Sequence, residues 1–220
     1  MTFSIVGYCP RTRAYGMAVT SSSLCVASRC AWVRPGVGAV ATQNLTNPLL
    51  GPMGLGLLSQ GMAETAVLEN LLASDPGRDY RQLMILGPAG RCVHHTGAQV
   101  LPIHAQAAGI ACAAAGNLLA DARIPGRMVA AFEARPLQAL AQRLLDALHA
   151  GLAAGGETRP LQSAGVVAGD DNGWLTVDLR VDQHHAPLAE LQRLWDLYEP
   201  MRAGYIERVA APERYTPRAG

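Results

Sequence analysis

The chain opens MTFSIVGYCPRTRAYGMAVTS over residues 1–21, and the reading of this stretch decides the fold. Residues 3–8 (FSIVGY) and 15–21 (YGMAVTS) are short apolar runs, and Pro10-Arg11-Thr12-Arg13 between them reads as a turn. The two runs therefore predict an antiparallel hairpin. Both are apolar on both faces, as expected of strands covered on both sides. Chain ends fray unless something ties them down, so a strand starting at residue 3 is expected to hold the start of the chain inside the fold.

The same pattern continues outward. Residues 24–33 and 36–42 (GVGAVAT) read as further strands. Residues 63–73 form a helix with Val67, Leu68, Leu71 and Leu72 on one face, ended by Asp75-Pro76-Gly77. Strands at 82–86 and 91–95 flank the turn Gly87-Pro88-Ala89-Gly90. A helical block over 107–152 carries Leu137, Leu140, Leu144, Leu145, Leu148 and Leu152 at helical spacing and stops at Gly155-Gly156. Strands at 163–168 and 175–181 are joined by Asp170-Asp171-Asn172-Gly173. Pro187 then starts a helix with Leu188, Leu191, Leu194, Trp195 and Tyr198. Strands in hairpin pairs with helix pairs between them predict an α+β domain of two antiparallel sheets covered by helices, not an alternating doubly wound sheet. No linker composition divides residues 1–220, which are read as one domain.

Composition removes several function classes. A formal charge of +1 lacks the basic excess that nucleic-acid binding draws on. All 18 basic residues are arginine. Without lysine there is no Schiff-base nucleophile, no anchor for pyridoxal phosphate and no P-loop lysine. Gly54-Leu55-Gly56 lacks both the preceding long strand and the acidic residue about twenty positions on that a dinucleotide site needs. No cofactor is expected. The 5 cysteines never occur as C-x-x-C, so neither structural zinc nor a disulfide framework is indicated, and Cys9, Cys25 and Cys30 read as small buried hydrophobes. With no signal-like leader and no eighteen-residue apolar run, the expectation is a cytoplasmic protein free of membrane partners. A homodimer is a mild expectation for a protein of this kind.

Thr2 points to chemistry. A threonine hydroxyl is a weak nucleophile alone, but at a mature N-terminus its own α-amino group, with a pKa of about 7.7–8.0, can serve as the base. Removal of Met1 would expose both groups on one residue. Such a nucleophile needs donors for the developing oxyanion and polar groups that fix the substrate. Ser21, Ser22 and Ser23 end the second strand, and Gln43 and Asn44 follow the strand at 36–42.

The strings TFSIVG, GVGAVATQN, NPLLGPMGLGLL, HTGA, AAGNLLA, GGETRPLQSA and VDLRVDQHHAPLAEL, in this order, resemble the prokaryotic family called domain of unknown function 1028. The resemblance covers residues 2–199 and leaves 200–220 as a tail. It implies a four-layer αββα sandwich of the N-terminal nucleophile (Ntn) hydrolase superfamily. It also implies an amidohydrolase with Thr2 as nucleophile and a small-molecule amide, peptide-like or ureido substrate. By the same resemblance Gln43-Asn44, His95-Thr96, Asn117, Gln162-Ser163 and 178–182 gather at the site or hold its frame. The family's usual aspartate after Gly-Gly is here Glu157, and Pro160 stands where glycine is common. With no lysine to activate the threonine, Arg34 or another arginine would have to supply positive potential.

Other readings weigh against these. His95 at a strand end serves as acid, base or substrate contact, or simply bonds the backbone. Asn117, read in a helix-like stretch, either donates to an oxyanion or substrate carbonyl or makes a structural bond. Asp178, Arg180 and Asp182 fit an ion-pair ladder. His94, His95, His104, His184 and His185 raise a metal hydrolase as a remote alternative, and no metal site is expected. The main alternative to catalysis is a non-catalytic ligand- or partner-binding protein on the same fold.

Overall fold

Strands with no polar face can rest only in the middle of a covered sheet, and the N-terminal hairpin lies there. The computed structural model describes residues 2–214, so Met1 and residues 215–220 of the expected tail lie outside it. The elements in chain order are β1 (Thr2–Cys9), β2 (Ala14–Ser21), α1 (Ala27–Cys30), β3 (Ala31–Arg34), β4 (Gly38–Asn44), α2 (Leu50–Ser59), α3 (Glu64–Ser74) and β5 (Arg81–Leu86). There follow β6 (Cys92–Thr96), β7 (Ala105–Gly109), β8 (Cys112–Asn117), α4 (Ile124–Ala134), α5 (Leu140–Ala153), β9 (Ser163–Gly169), β10 (Val177–Val181) and α6 (Pro187–Ala210). This is a mixed α+β fold of two antiparallel sheets and six helices among the described residues. The strands order as β10-β9-β2-β1-β8-β7 in the six-stranded sheet and β3-β4-β5-β6 in the four-stranded one. No helix of the described residues is long and apolar enough to cross a membrane.

Side chains alternate along each strand, and this sorts the core into three clusters. Phe3 and Ile5 of β1 and Cys112 and Ala114 of β8 meet Met128 and Phe132 of α4, Leu144 and Leu148 of α5 and Leu191 and Trp195 of α6. Val6, Met17, Val19, Ala39, Ala41, Met84, Leu86, Ala113 and Ala115 come from both sheets and pack together between them. On the far side of the smaller sheet, Val40, Leu83 and Ile85 meet Leu50, Leu55 and Leu58 of α2 and Val67 and Leu71 of α3. Thr2 and Ser4 share the parity of Val6, so they face the second sheet.

Four local expectations are corrected. Residues 24–33 are not one strand: Cys25 has φ +52°, residues 27–30 make one helical turn, and only 31–34 are extended. The Arg29 guanidinium closes this turn by donating to the carbonyls of Leu24 at 2.6 Å and Cys25 at 2.9 Å. The helical block begins too early, because residues 105–117 form the hairpin β7–β8. Alanine favours a helix locally. Here Ala113, Ala114 and Ala115 are at most 1% exposed, and their small side chains let β8 lie beside β1 with packed material on both faces. Asn117 is accordingly the last residue of a strand, not part of a helix. Leu137 is 80% exposed ahead of α5 and takes no part in its buried face. Helix α6 runs to Ala210, so residues 200–210 of the expected tail are helical.

Helix α2 goes unread in the sequence because three glycines interrupt it. Its Gly51 lies so close to Trp32 of β3 that a Cβ would fall 2.2 Å from the indole, and Gly54 sits against Val40. Gly54-Leu55-Gly56 thus serves close packing of a helix on a sheet.

Candidate functional site

The site is built at the head of β1. Thr2 lies opposite Ser21 of β2 on one side and Asn117 of β8 on the other. Thr2 is 4% exposed, and Ser4, Ser21 and Asn117 are 0% exposed. Where the apolar cluster between the sheets ends, these residues meet Gln43 of β4 and Gln82 of β5.

A buried polar group is tolerable only when paired, and the pairing here is nearly complete. Ser4 Oγ donates to Gln43 Oε1 at 2.6 Å, and Gln43 Nε2 donates to Gln82 Oε1 at 2.7 Å. Gln82 Oε1 also accepts from Asn117 Nδ2 at 3.1 Å. Gln82 Nε2 donates to Thr96 Oγ1 and to the carbonyls of Ala105 and Gly116. Thr96 Oγ1 donates to Gln106 Oε1 at 2.8 Å. The two carbonyls can only accept, so they fix the Gln82 amide, and Gln82 Oε1 in turn fixes the amide of Asn117. One N–H of Asn117 is committed to Gln82. Its Oδ1 is buried with no hydrogen-bond partner. Asn117 therefore presents an acceptor beside Thr2.

On the other side of Thr2 runs a chain of hydroxyls. Thr2 Oγ1 donates to Ser21 Oγ at 3.3 Å, Ser21 Oγ lies 2.8 Å from Ser23 Oγ, and Arg29 Nη2 donates to Ser23 Oγ at 2.6 Å. Positive potential reaches the hydroxyls from Arg29. Arg34 does not supply it, because it is exposed at the end of β3 opposite Gly38, at the other end of the strand from Gln43 and Asn44.

Other expected residues frame the site. Ser22 N donates to Glu157 Oε2 at 3.0 Å, and Gln162 Nε2 donates to Ser22 O at 2.6 Å. Gln162 thus clamps the end of β2. Asn44, at φ +72°, donates to Tyr80 O and accepts from Leu101 N, so it ties loops together. Ser163 Oγ is committed to Val26 N and Ser23 O. His95 is paired with Leu83, whose side chain faces α2 and α3, so it points away from Thr2, and its Nε2 bonds Arg78 O at 3.2 Å. Its neighbour Thr96 does join the network.

Arg180 Nε donates to Asp178 Oδ1 at 2.7 Å as an exposed ion pair. The rings of His184 and His185 lie 4.3 Å apart, tilted by 36° to each other. No group of three or more His, Cys, Asp or Glu among the described residues is placed to hold a metal ion. Cys9 and Cys30 are buried, whereas Cys25 is exposed, contrary to expectation.

Sequence reasoning missed Ser4, Gln82 and Arg29. The signal for two of them was present: Ser4 follows Thr2 at strand period, and Gln82 heads the otherwise apolar run QLMIL. Glu157, noted only as a departure from the family pattern, is 7% exposed, and burial pushes its carboxyl up against the opposing bond from Ser22.

The model of a family described as a family of unknown function, DUF1028, matches residues 2–191. Among solved structures, the crystal structure of SPO2555 from Silicibacter pomeroyi, itself assigned to DUF1028, is similar over 94% of both chains. It is 29% identical, with a TM-score of 0.83. Anbu, the ancestral β-subunit from Yersinia bercovieri, is 13% identical over 99% of both chains, but its TM-score of 0.37 carries no argument. No curated protein matches.

Proposed function

For a chain that belongs to DUF1028, a family of unknown function, we propose an amidohydrolase of the N-terminal nucleophile type with Thr2 as its nucleophile. On this reading the two sheets and their outer helices are the αββα sandwich of that superfamily. The observation that carries the proposal is the hydroxyl chain from Thr2 through Ser21 and Ser23 to the Arg29 guanidinium. Once Oγ1 has lost its proton the Thr2–Ser21 bond must reverse, and a hydroxyl chain that ends on a guanidinium can then donate to the threonine oxygen. After loss of Met1, the Thr2 amine in its neutral form takes the proton of Oγ1 as that oxygen attacks the substrate carbonyl. The same proton then passes to the departing nitrogen, leaving an ester on Thr2. Water adds to the ester, gives its proton to the amine and releases the acid, which restores the hydroxyl. The free Oδ1 of Asn117 favours a substrate that carries an N–H beside its carbonyl. That is the pattern of a small amide, peptide-like or ureido compound.

Intact-mass measurement after treatment with a β-lactone tests the proposal. The expected result is a chain lacking Met1 with one adduct on Thr2, absent from Thr2→Ala. A Met1-free chain that takes no adduct at residue 2 overturns it. The 4% exposure of Thr2 favours the second reading, a ligand-binding protein in which Thr2 only anchors β1. That reading requires Thr2→Ala to leave ligand affinity and stability nearly unchanged.

A further inference from the structure

We infer that Glu157 is the counter-ion and positioning residue of the Thr2 α-amino group, which it holds at the head of β1. The inference rests on the proposed loss of Met1 and adds a residue to that site.

β1 begins opposite the last residues of β2 and β8, and the chain of each continues beyond it. On the β8 side, Leu119 bridges to Glu157, Ala120 N donates to Gly156 O at 2.9 Å and Thr158 N donates to Leu118 O at 3.0 Å. On the β2 side, Glu157 Oε2 accepts from Ser22 N. Ser22 directly follows the strand partner of Thr2, so this bond lies at the edge of the lane of β1. Glu157 therefore spans that lane, from the continuation of β8 to the end of β2, in line with the start of β1. The turn that delivers it needs backbone at φ +115° and +59°, which Gly155 and Gly156 supply.

The carboxylate is incompletely paired. Its Oε2 has the Ser22 N–H, but Oε1 is buried with no hydrogen-bond partner. Residues 21–23 and 118–120, which flank it, contribute serines, leucine and alanine, none of which titrates. Arg159 acts on it only through space, and Arg29 is spent on Ser23 and two carbonyls. A buried carboxylate oxygen without a cation or donor is costly. An ammonium at the nitrogen of Thr2 meets that need with up to three N–H groups. In return, the carboxylate fixes where the amine sits relative to Oγ1.

The absence of lysine makes the test clean, because the α-amino group is then the chain's one primary amine. Of the two forms of the amine, N-hydroxysuccinimide acetate acylates only the neutral one, so the pH profile of amide formation at the N-terminal peptide titrates that group. In Met1-free protein the midpoint should lie above the ordinary range of about 7.7–8.0. Glu157→Gln keeps the shape and removes the charge, and should lower the midpoint by about one pH unit. Glu157→Asp should fall between the two. Equal midpoints in the native chain and Glu157→Gln overturn the inference, as does a chain that keeps Met1. If Glu157→Gln fails to fold, the native chain decides: acetylation of its α-amine should raise the titration of the Glu157 carboxyl, followed by 13C NMR, and an unmoved carboxyl overturns the inference. β-Lactone labelling of the same sample separates the two ideas. A shifted amine without a Thr2 adduct sustains the pairing and removes the hydrolase, whereas an adduct with an unshifted amine does the reverse.

Discussion

The space between the two sheets has two halves built from the same strands. In one, Val6, Met17, Met84, Leu86 and the alanines of β4 and β8 pack as an ordinary apolar core. In the other, two or four residues further along each strand, Thr2, Ser4, Ser21, Gln43, Gln82 and Asn117 are just as buried and all polar. The apolar half gains free energy from every side chain removed from water and tolerates imperfect directions. The polar half gains only when each donor finds its acceptor, so its geometry is specified bond by bond. Two buried oxygens left without partners lie near the first residue of β1, Asn117 Oδ1 on the strand beside it and Glu157 Oε1 in line with its start. Where the pairing is otherwise so complete, those two acceptors mark where an amine and a substrate are expected to bind.

The comparison breaks most sharply at Gln82. Gln82→Ala strands the donors of Gln43 and Asn117 and leaves a void, and should cost about 4 kcal/mol in urea unfolding. Met84→Ala, next along the same face of β5, removes only apolar contact and should cost about 3 kcal/mol. If Gln82→Ala cost no more than about 1 kcal/mol, the polar half would have to be hydrated and loosely held. Ser4→Ala deprives Gln43 Oε1 of its donor and should cost about 1.5 kcal/mol, while Thr2 labelling by the β-lactone persists.

A pH effect sharpens the contrast further. Burial raises the Glu157 carboxyl, so in a chain whose α-amine has been acetylated its contribution to stability is full below the unfolded carboxylate pKa. That contribution is lost as pH rises through the higher folded value. The acetylated chain should therefore melt progressively earlier than the free-amine chain across that window, as thermal scans at several pH values would register. The smallest effect belongs to the surface: Asp178→Asn opens the exposed pair with Arg180 and should change stability by no more than about 0.5 kcal/mol.

Much of this molecule is written locally. The apolar runs of residues 3–8 and 15–21, the Gly-Pro-Ala-Gly and Asp-Asp-Asn-Gly turns and Pro187 each mark a boundary by steric and burial rules that act within a few residues. The hairpins β1–β2, β5–β6 and β9–β10 and the start of α6 follow from them. Even the polar site left a trace, in Thr2 and Ser4 at strand period and Gln82 at the head of an apolar strand.

Other features were decided only by the fold. The alanines of 105–117 prefer a helix when judged by neighbours along the chain, and become strands because β8 is held between β1 and β7 with Ala113, Ala114 and Ala115 buried in the sheet. Arg29 rather than Arg34 reaches the hydroxyls because one helical turn interrupts the expected strand. The pairing of Ser4 with Gln43 joins residues 39 positions apart, and that of Ser22 with Glu157 joins residues 135 apart. Local pattern reports how deeply a residue is buried and with what period. Which buried residues meet is set by sheet register and by the packing of one sheet on the other, and those exist only once the chain has folded.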